Sequence, residues 1–88
     1  MFIKENELPA FYAEIIKLGA RVDEKEREIA FEISPSEPHE IEYWHVKHVK
    51  DDLYKIGWVH TTTCSSNPAQ EYKTAPTREC AEKIEKAL

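Results

Sequence analysis

Apolar residues recur with a helical period near the start of the chain. Leu8, Phe11, Tyr12, Ile15 and Ile16 stand at i, i+3, i+4, i+7 and i+8, which puts them on one stripe of an α-helix. Asn6 can cap such a helix, Glu7 and Pro9 suit its first turn, and Gly19 is its natural stop. The expectation is a helix over 6–19. Asp23-Glu24-Lys25-Glu26 is then a polar connector. After it the period changes to two: Ile29, Phe31 and Ile33 alternate with Glu28, Ala30 and Glu32. That pattern predicts a strand with one face inward and one acidic face in water.

The densest run of strand-forming residues covers 40–64 and is broken once, at Asp51-Asp52. Tyr, Trp, Val, Ile and Thr fit a pleated, half-buried surface, and Asp favours turns because it bonds its own backbone and tolerates left-handed geometry. The stretch predicts a long β-hairpin, around which the rest of the chain is expected to pack. A two-residue loop with a regular ladder would set Trp44 opposite Val59 and leave both faces mixed. An odd loop, or a bulge near Gly57, would bring Trp44 and Val46 onto the face of Tyr54, Ile56 and Trp58. A one-residue slip exchanges the faces, so burial decides the register, and the bulged arrangement is expected. It leaves Tyr43, His45, Lys47, Lys55 and Thr61 on the other face.

Residues 34–39 contain two prolines and read as a loop into the hairpin. Residues 65–70 read as a second polar loop and the most mobile segment, and 71–73 as a short edge strand. Cys80, Ala81, Ile84, Ala87 and Leu88 form a second helical stripe. Thr74 can cap that helix, with Thr77 as the competing cap, and Pro76 suits its first turn. Glu79–Lys83 and Glu82–Lys86 are favourable i,i+4 pairs. The fold class that follows is a single α+β domain over 1–88, in the order α-β-β-β-α. It has an antiparallel sheet of three to four strands and two helices, at 6–19 and 76–88, packed on one face. Its core should include Phe11, Ile15, Phe31, Trp44, Ile56, Trp58 and Ile84.

The helix–three strands–helix order is similar to the double-stranded RNA-binding domain, a resemblance that covers the element order over most of the chain. That family carries a Gly-Pro-x-His loop between its first two strands, where this chain has Glu37-Pro38-His39 without the glycine or the spacer. The family also has a lysine-rich start to its last helix. Here that stretch is Thr77-Arg78-Glu79-Cys80-Ala81-Glu82-Lys83, with acids where lysines belong. The resemblance implies an element order; the phosphate-gripping motifs are absent.

Composition narrows the function classes. At 88 residues the chain can build only a thin core. No apolar run approaches the roughly 18 residues that mark a membrane span, and residues 1–5 lack a signal-like segment. A soluble cytoplasmic protein with no membrane partner is expected. The net charge of −5 disfavours a nonspecific nucleic-acid binder. The charge is uneven: residues 1–39 hold nine acids and five bases, whereas the hairpin is near neutral and carries three of the four histidines. Mild acidification would make it basic. Cys64 and Cys80 are too few for a disulfide scaffold and read as free, partly buried thiols.

Candidate chemistry is sparse. His48, His60 and Cys64 share a parity, so a metal- or thiol-dependent site on one face is conceivable, although the spacing matches no common zinc motif. Cys64 and His60 stand four residues apart on one strand, about 13 Å, which excludes direct proton transfer between them. With two glycines there is no phosphate-cradling loop. The expectation is a non-enzymatic protein with no cofactor and no metal, acting through a protein partner. Short acidic chains with this profile include accessory and inhibitory proteins of mobile elements of the phage type. The binding residues expected are Tyr43, His45, Lys47 and Lys55, because aromatic and basic groups side by side suit a protein hot spot. The same face suits a nucleic-acid-binding module, the alternative reading. Oligomeric state and partner identity are open from sequence.

Overall fold

The computed structural model describes residues 1–34, 39–64, 71–73 and 75–88. Of the loops expected from sequence at 34–39 and 65–70, residues 35–38 and 65–70 lie outside the described residues, and Ser34 and His39 belong to strands. In chain order the elements are strand β1 (Phe2–Lys4), a 3-10 turn (Glu5–Glu7), helix α1 (Leu8–Lys17), and strands β2 (Arg21–Asp23), β3 (Glu28–Ser34), β4 (His39–Lys50), β5 (Leu53–Cys64) and β6 (Glu71–Lys73). Helix α2 (Arg78–Ala87) ends the order. The class is α+β and every strand pairing is antiparallel, but the sheet is larger than three or four strands. Five strands run in the order β1-β5-β4-β3-β2, and β6 pairs with a further stretch of β5. The element order therefore departs from α-β-β-β-α. Strand β6 is the short edge strand expected at 71–73, whereas period-two reasoning passed over β1 and β2 because each is three residues long, too short to show a period.

Helix α1 begins later than expected. Asn6 is not its cap; Glu5–Glu7 form a 3-10 turn, and the Glu7 carboxylate accepts from the Lys4 backbone N–H at 3.1 Å. The helix stops where expected. Gly19 takes φ +101°, a conformation only glycine adopts without strain. Its N–H donates to the Ile16 carbonyl while that of Ala20 donates to Ile15, closing the helix with buried Ile15 and Ala20 together. In α2 the cap is Thr77, whose hydroxyl accepts from the Cys80 N–H at 3.3 Å. Thr74, the other candidate, lies outside the described residues.

The β4–β5 hairpin turns on Asp51-Asp52, with Asp51 left-handed at φ 47°. Its two twelve-residue arms set the molecule's long dimension of 43 Å. The ladder slips twice. Val49 is extra between the His48–Tyr54 and Lys50–Leu53 pairs, and Val59 between Tyr43–His60 and Trp44–Trp58. The first slip brings Trp44 opposite Trp58 and Val46 opposite Ile56, so the expected apolar face forms, with the bulge at the turn rather than at Gly57. Both extruded valines are about half exposed.

One cluster of buried side chains holds the fold. Ile29, Phe31, Trp44, Val46, Tyr54 and Ile56 from the sheet meet Leu8, Phe11, Tyr12 and Ile15 from α1, and Cys80 and Ile84 from α2. Trp58 is the exception among the expected core residues: it is only partly buried at the cluster's margin, and its indole N–H donates to the Thr61 hydroxyl at 3.3 Å. Among the described residues no helix is long and apolar enough to cross a membrane.

Candidate functional site

The sheet face opposite the core cluster, the outer face, collects the four expected binding residues. Cross-strand partners share a face, so Tyr43 with His60, His45 with Gly57, and Lys47 with Lys55 stand in three successive pairs across the central strands. The Tyr43 and His60 rings stack, with centroids 4.8 Å apart and planes 29° from parallel. The His45 ring donates from Nε2 to the Glu26 carbonyl at 3.1 Å, which ties β4 to the connector before β3. Arg27, left-handed at φ 54°, accepts from the Val46 N–H at 2.9 Å in the same connector. Lys47 and Lys55 are exposed and directly opposite each other, and among the described residues neither side chain has an ion pair or hydrogen bond. Phe2 adds to this group through β1, opposite Lys55 and 59% exposed. Sequence reading missed Phe2 because β1 gives no periodic signal.

Two shallow cavities open on this face. One, of about 110 Å³, is lined by Gly19, Arg21, Ala30, Glu32, Ile41 and Tyr43. The other, of about 170 Å³, is bounded by His45, Lys47, Lys55, Gly57, Trp58 and Val59. The first balances a cation with a carboxylate. The second has lysines and an imidazole and no carboxylate in its lining.

Two sequence expectations change here. Thr61 is not on the outer face: the extra residue Val59 shifts the alternation, so Thr61 pairs with Glu42 on the core face and is fully buried. The same shift separates the proposed metal ligands. His48 pairs with Tyr54 on the core side, where its Nε2 donates to the Asp51 carbonyl at 2.7 Å, while His60 lies on the outer face against Tyr43. The side chain of Cys64 lies outside the described residues. Among those described, no group of three His, Cys, Asp or Glu side chains is placed to hold a metal ion.

The most unusual group was not singled out from sequence. Glu42 is fully buried on the core face. Its Oε2 accepts from the Trp44 indole N–H at 2.7 Å and its Oε1 from the Thr77 backbone N–H at 2.9 Å. The carboxylate thus joins the sheet to the N-terminus of α2, where a negative charge also meets the positive end of the helix dipole. The signal was present: Glu42 has the parity of Trp44 and Val46, so a buried Trp44 carries Glu42 inward with it. Beside it the Cys80 thiol is pushed up to about 11, first by burial and further by the Glu42 charge, against the lowering hydrogen bond from Thr77. A thiol held protonated in this way is a poor nucleophile at neutral pH. The cluster around Glu42 is an anchor for the last helix.

No protein-family model matches this chain, nor does any curated protein or solved structure.

Proposed function

We propose that this chain is a small non-enzymatic binding protein that engages a protein partner through the outer face of the β4–β5 hairpin. The reading takes both helices to lie over the core face, as their shared buried cluster supports, and leaves the opposite face for the partner. One observation carries it: Lys47 stands directly opposite Lys55 with no counter-charge on either among the described residues. Like charges directly opposite on a sheet are destabilising. Lysines often protect sheet edges, which suits Lys47, since the β3 ladder ends at His45, but not Lys55, which is flanked by β4 and β1. A partner's acidic surface relieves the repulsion, and the Phe2 ring beside Lys55 and the Tyr43 ring farther along the same face supply the apolar contact of a hot spot.

Nucleic acid is the second reading, favoured by the same lysines and the Tyr43–His60 stack and opposed by the net charge of −5. A cytoplasmic accessory or inhibitory protein of a mobile element is the biological setting this reading suggests. The test is the double change Tyr43→Ala with Lys47→Glu. Affinity capture from cells, followed by binding of the purified partner, should show binding lost while urea unfolding stays within about 0.5 kcal/mol of wild type. A partner that the double variant holds as tightly as wild type does would move the site elsewhere. Binding of single-stranded nucleic acid that weakens steeply with salt would favour the second reading.

A further inference from the structure

Gly57 sits in the middle of β5, opposite His45, on the floor of the 170 Å³ cavity. Nothing in the backbone asks for glycine there. Its φ is not left-handed, and a Cβ built on it would meet no atom within 4 Å. Glycine inside a strand weakens it and marks a bulge, a bend or a close approach to the backbone; the bulge here is centred on Val59, two residues on, and a Cβ at 57 would leave it undisturbed. The missing side chain leaves a notch between Lys55 and Val59 on one strand and His45 and Lys47 on the other. Val59, extruded by the bulge and 50% exposed, gives the notch an apolar wall. Its polar lining is two lysines and one imidazole.

We propose that this notch is a socket for an acidic side chain of a protein segment, whose carboxylate lies between Lys47 and Lys55 and whose methylene stem packs over Gly57 against Val59. This rests on the reading of the outer face as a protein-binding surface and names the chemistry that the face selects. The apolar wall given by Val59 favours an anion on a hydrocarbon stem over a bare phosphate.

The test titrates the isotope-labelled protein with an oligo-glutamate peptide and, separately, with an oligothymidylate of similar length. The peptide should move the amide signals of residues 45, 47, 55, 57 and 59. Gly57→Val fills the notch with a strand-favouring side chain, so its melting temperature should not fall while peptide affinity drops about tenfold or more, as for loss of a hot-spot contact. Gly57→Ala, a smaller filling, should give an intermediate loss, and Lys47→Gln with Lys55→Gln should abolish the response. Wild-type affinity in Gly57→Val overturns the socket. If Tyr43→Ala with Lys47→Glu still loses the partner in that case, the outer-face reading survives without it. Failure of the peptide to shift these signals at millimolar concentration overturns the socket, and so does tighter binding of the oligothymidylate.

Discussion

At the scale of single residues, Glu42 is the side chain with the most at stake. A buried carboxylate is tolerable only when its oxygens are bonded, and here one oxygen serves Trp44 and the other Thr77. Glu42→Ala removes both bonds and strands one buried donor, the Trp44 indole, and one part-buried donor, the Thr77 N–H. With charge-assisted bonds at about 1.5–3 kcal/mol each, it should cost more in urea unfolding than Thr77→Ala, where loss of a cap is typically about 1 kcal/mol. Equal losses would show that Glu42 does not anchor α2. Cys80 makes a pH prediction. Its thiol lies at about 11 in the folded state against an ordinary 9.0, so the folded state holds the proton more tightly. The stability this contributes is complete below pH 9 and is lost as pH rises from 9 to about 11, an effect of about 2–3 kcal/mol. Tyr12 adds in the same direction, because burial raises its hydroxyl above 10.0 against the lowering effect of Arg27. Cys80→Val should flatten the alkaline part of the stability profile and leave the part due to Tyr12. Native Cys80 should also resist alkylation at neutral pH.

Among elements, the hairpin's second bulge has the larger consequence. Without an extra residue at Val59, regular alternation from Trp58 would send Thr61 outward; with it, Thr61 is fully buried beside Glu42. Thr61→Glu should therefore cost at least about 3 kcal/mol by burying a second carboxylate directly opposite that of Glu42. Val59→Lys, on the exposed extra residue, should stay within about 0.5 kcal/mol of wild type. Equal tolerance at both positions in thermal unfolding would contradict the register. The two tryptophans should differ too. Trp44, 4% exposed, should lose about 3–5 kcal/mol on truncation to Ala, and Trp58, at the margin of the cluster, distinctly less.

For the whole molecule, one small core joins the sheet to both helices, with little stability in reserve. Ending the chain before Thr77 removes Cys80 and Ile84 from the cluster and takes away a donor that satisfies Glu42. The truncated protein should lose cooperative thermal unfolding, which calorimetry would register. Retention of a sharp transition would mean that the sheet and α1 form a core without α2. The distribution of charge also belongs to this scale. Nine of the seventeen acids lie in residues 1–39, while the outer face of the hairpin presents Lys47 and Lys55 unpaired among the described residues.

Local pattern alone was enough for the α+β class, the two helices, the hairpin on Asp51-Asp52 and the apolar face of Trp44, Val46, Tyr54 and Ile56, because periodicity and turn chemistry act over a few neighbouring residues. It also brought Tyr43, His45, Lys47 and Lys55 together, since strand parity holds wherever the ladder is regular. Parity failed beyond Val59, where one inserted residue reversed the face of Thr61 and divided His48 from His60. Such an insertion leaves no local mark, because it is settled by which register buries more apolar surface against the helices. The tertiary structure alone placed β1 and β2, too short to nucleate a pattern and held by the strands beside them. It alone turned Glu42 from one acid among many into the bonded anchor of α2, because the donors that make its burial tolerable come from Trp44 and, thirty-five residues away, from Thr77.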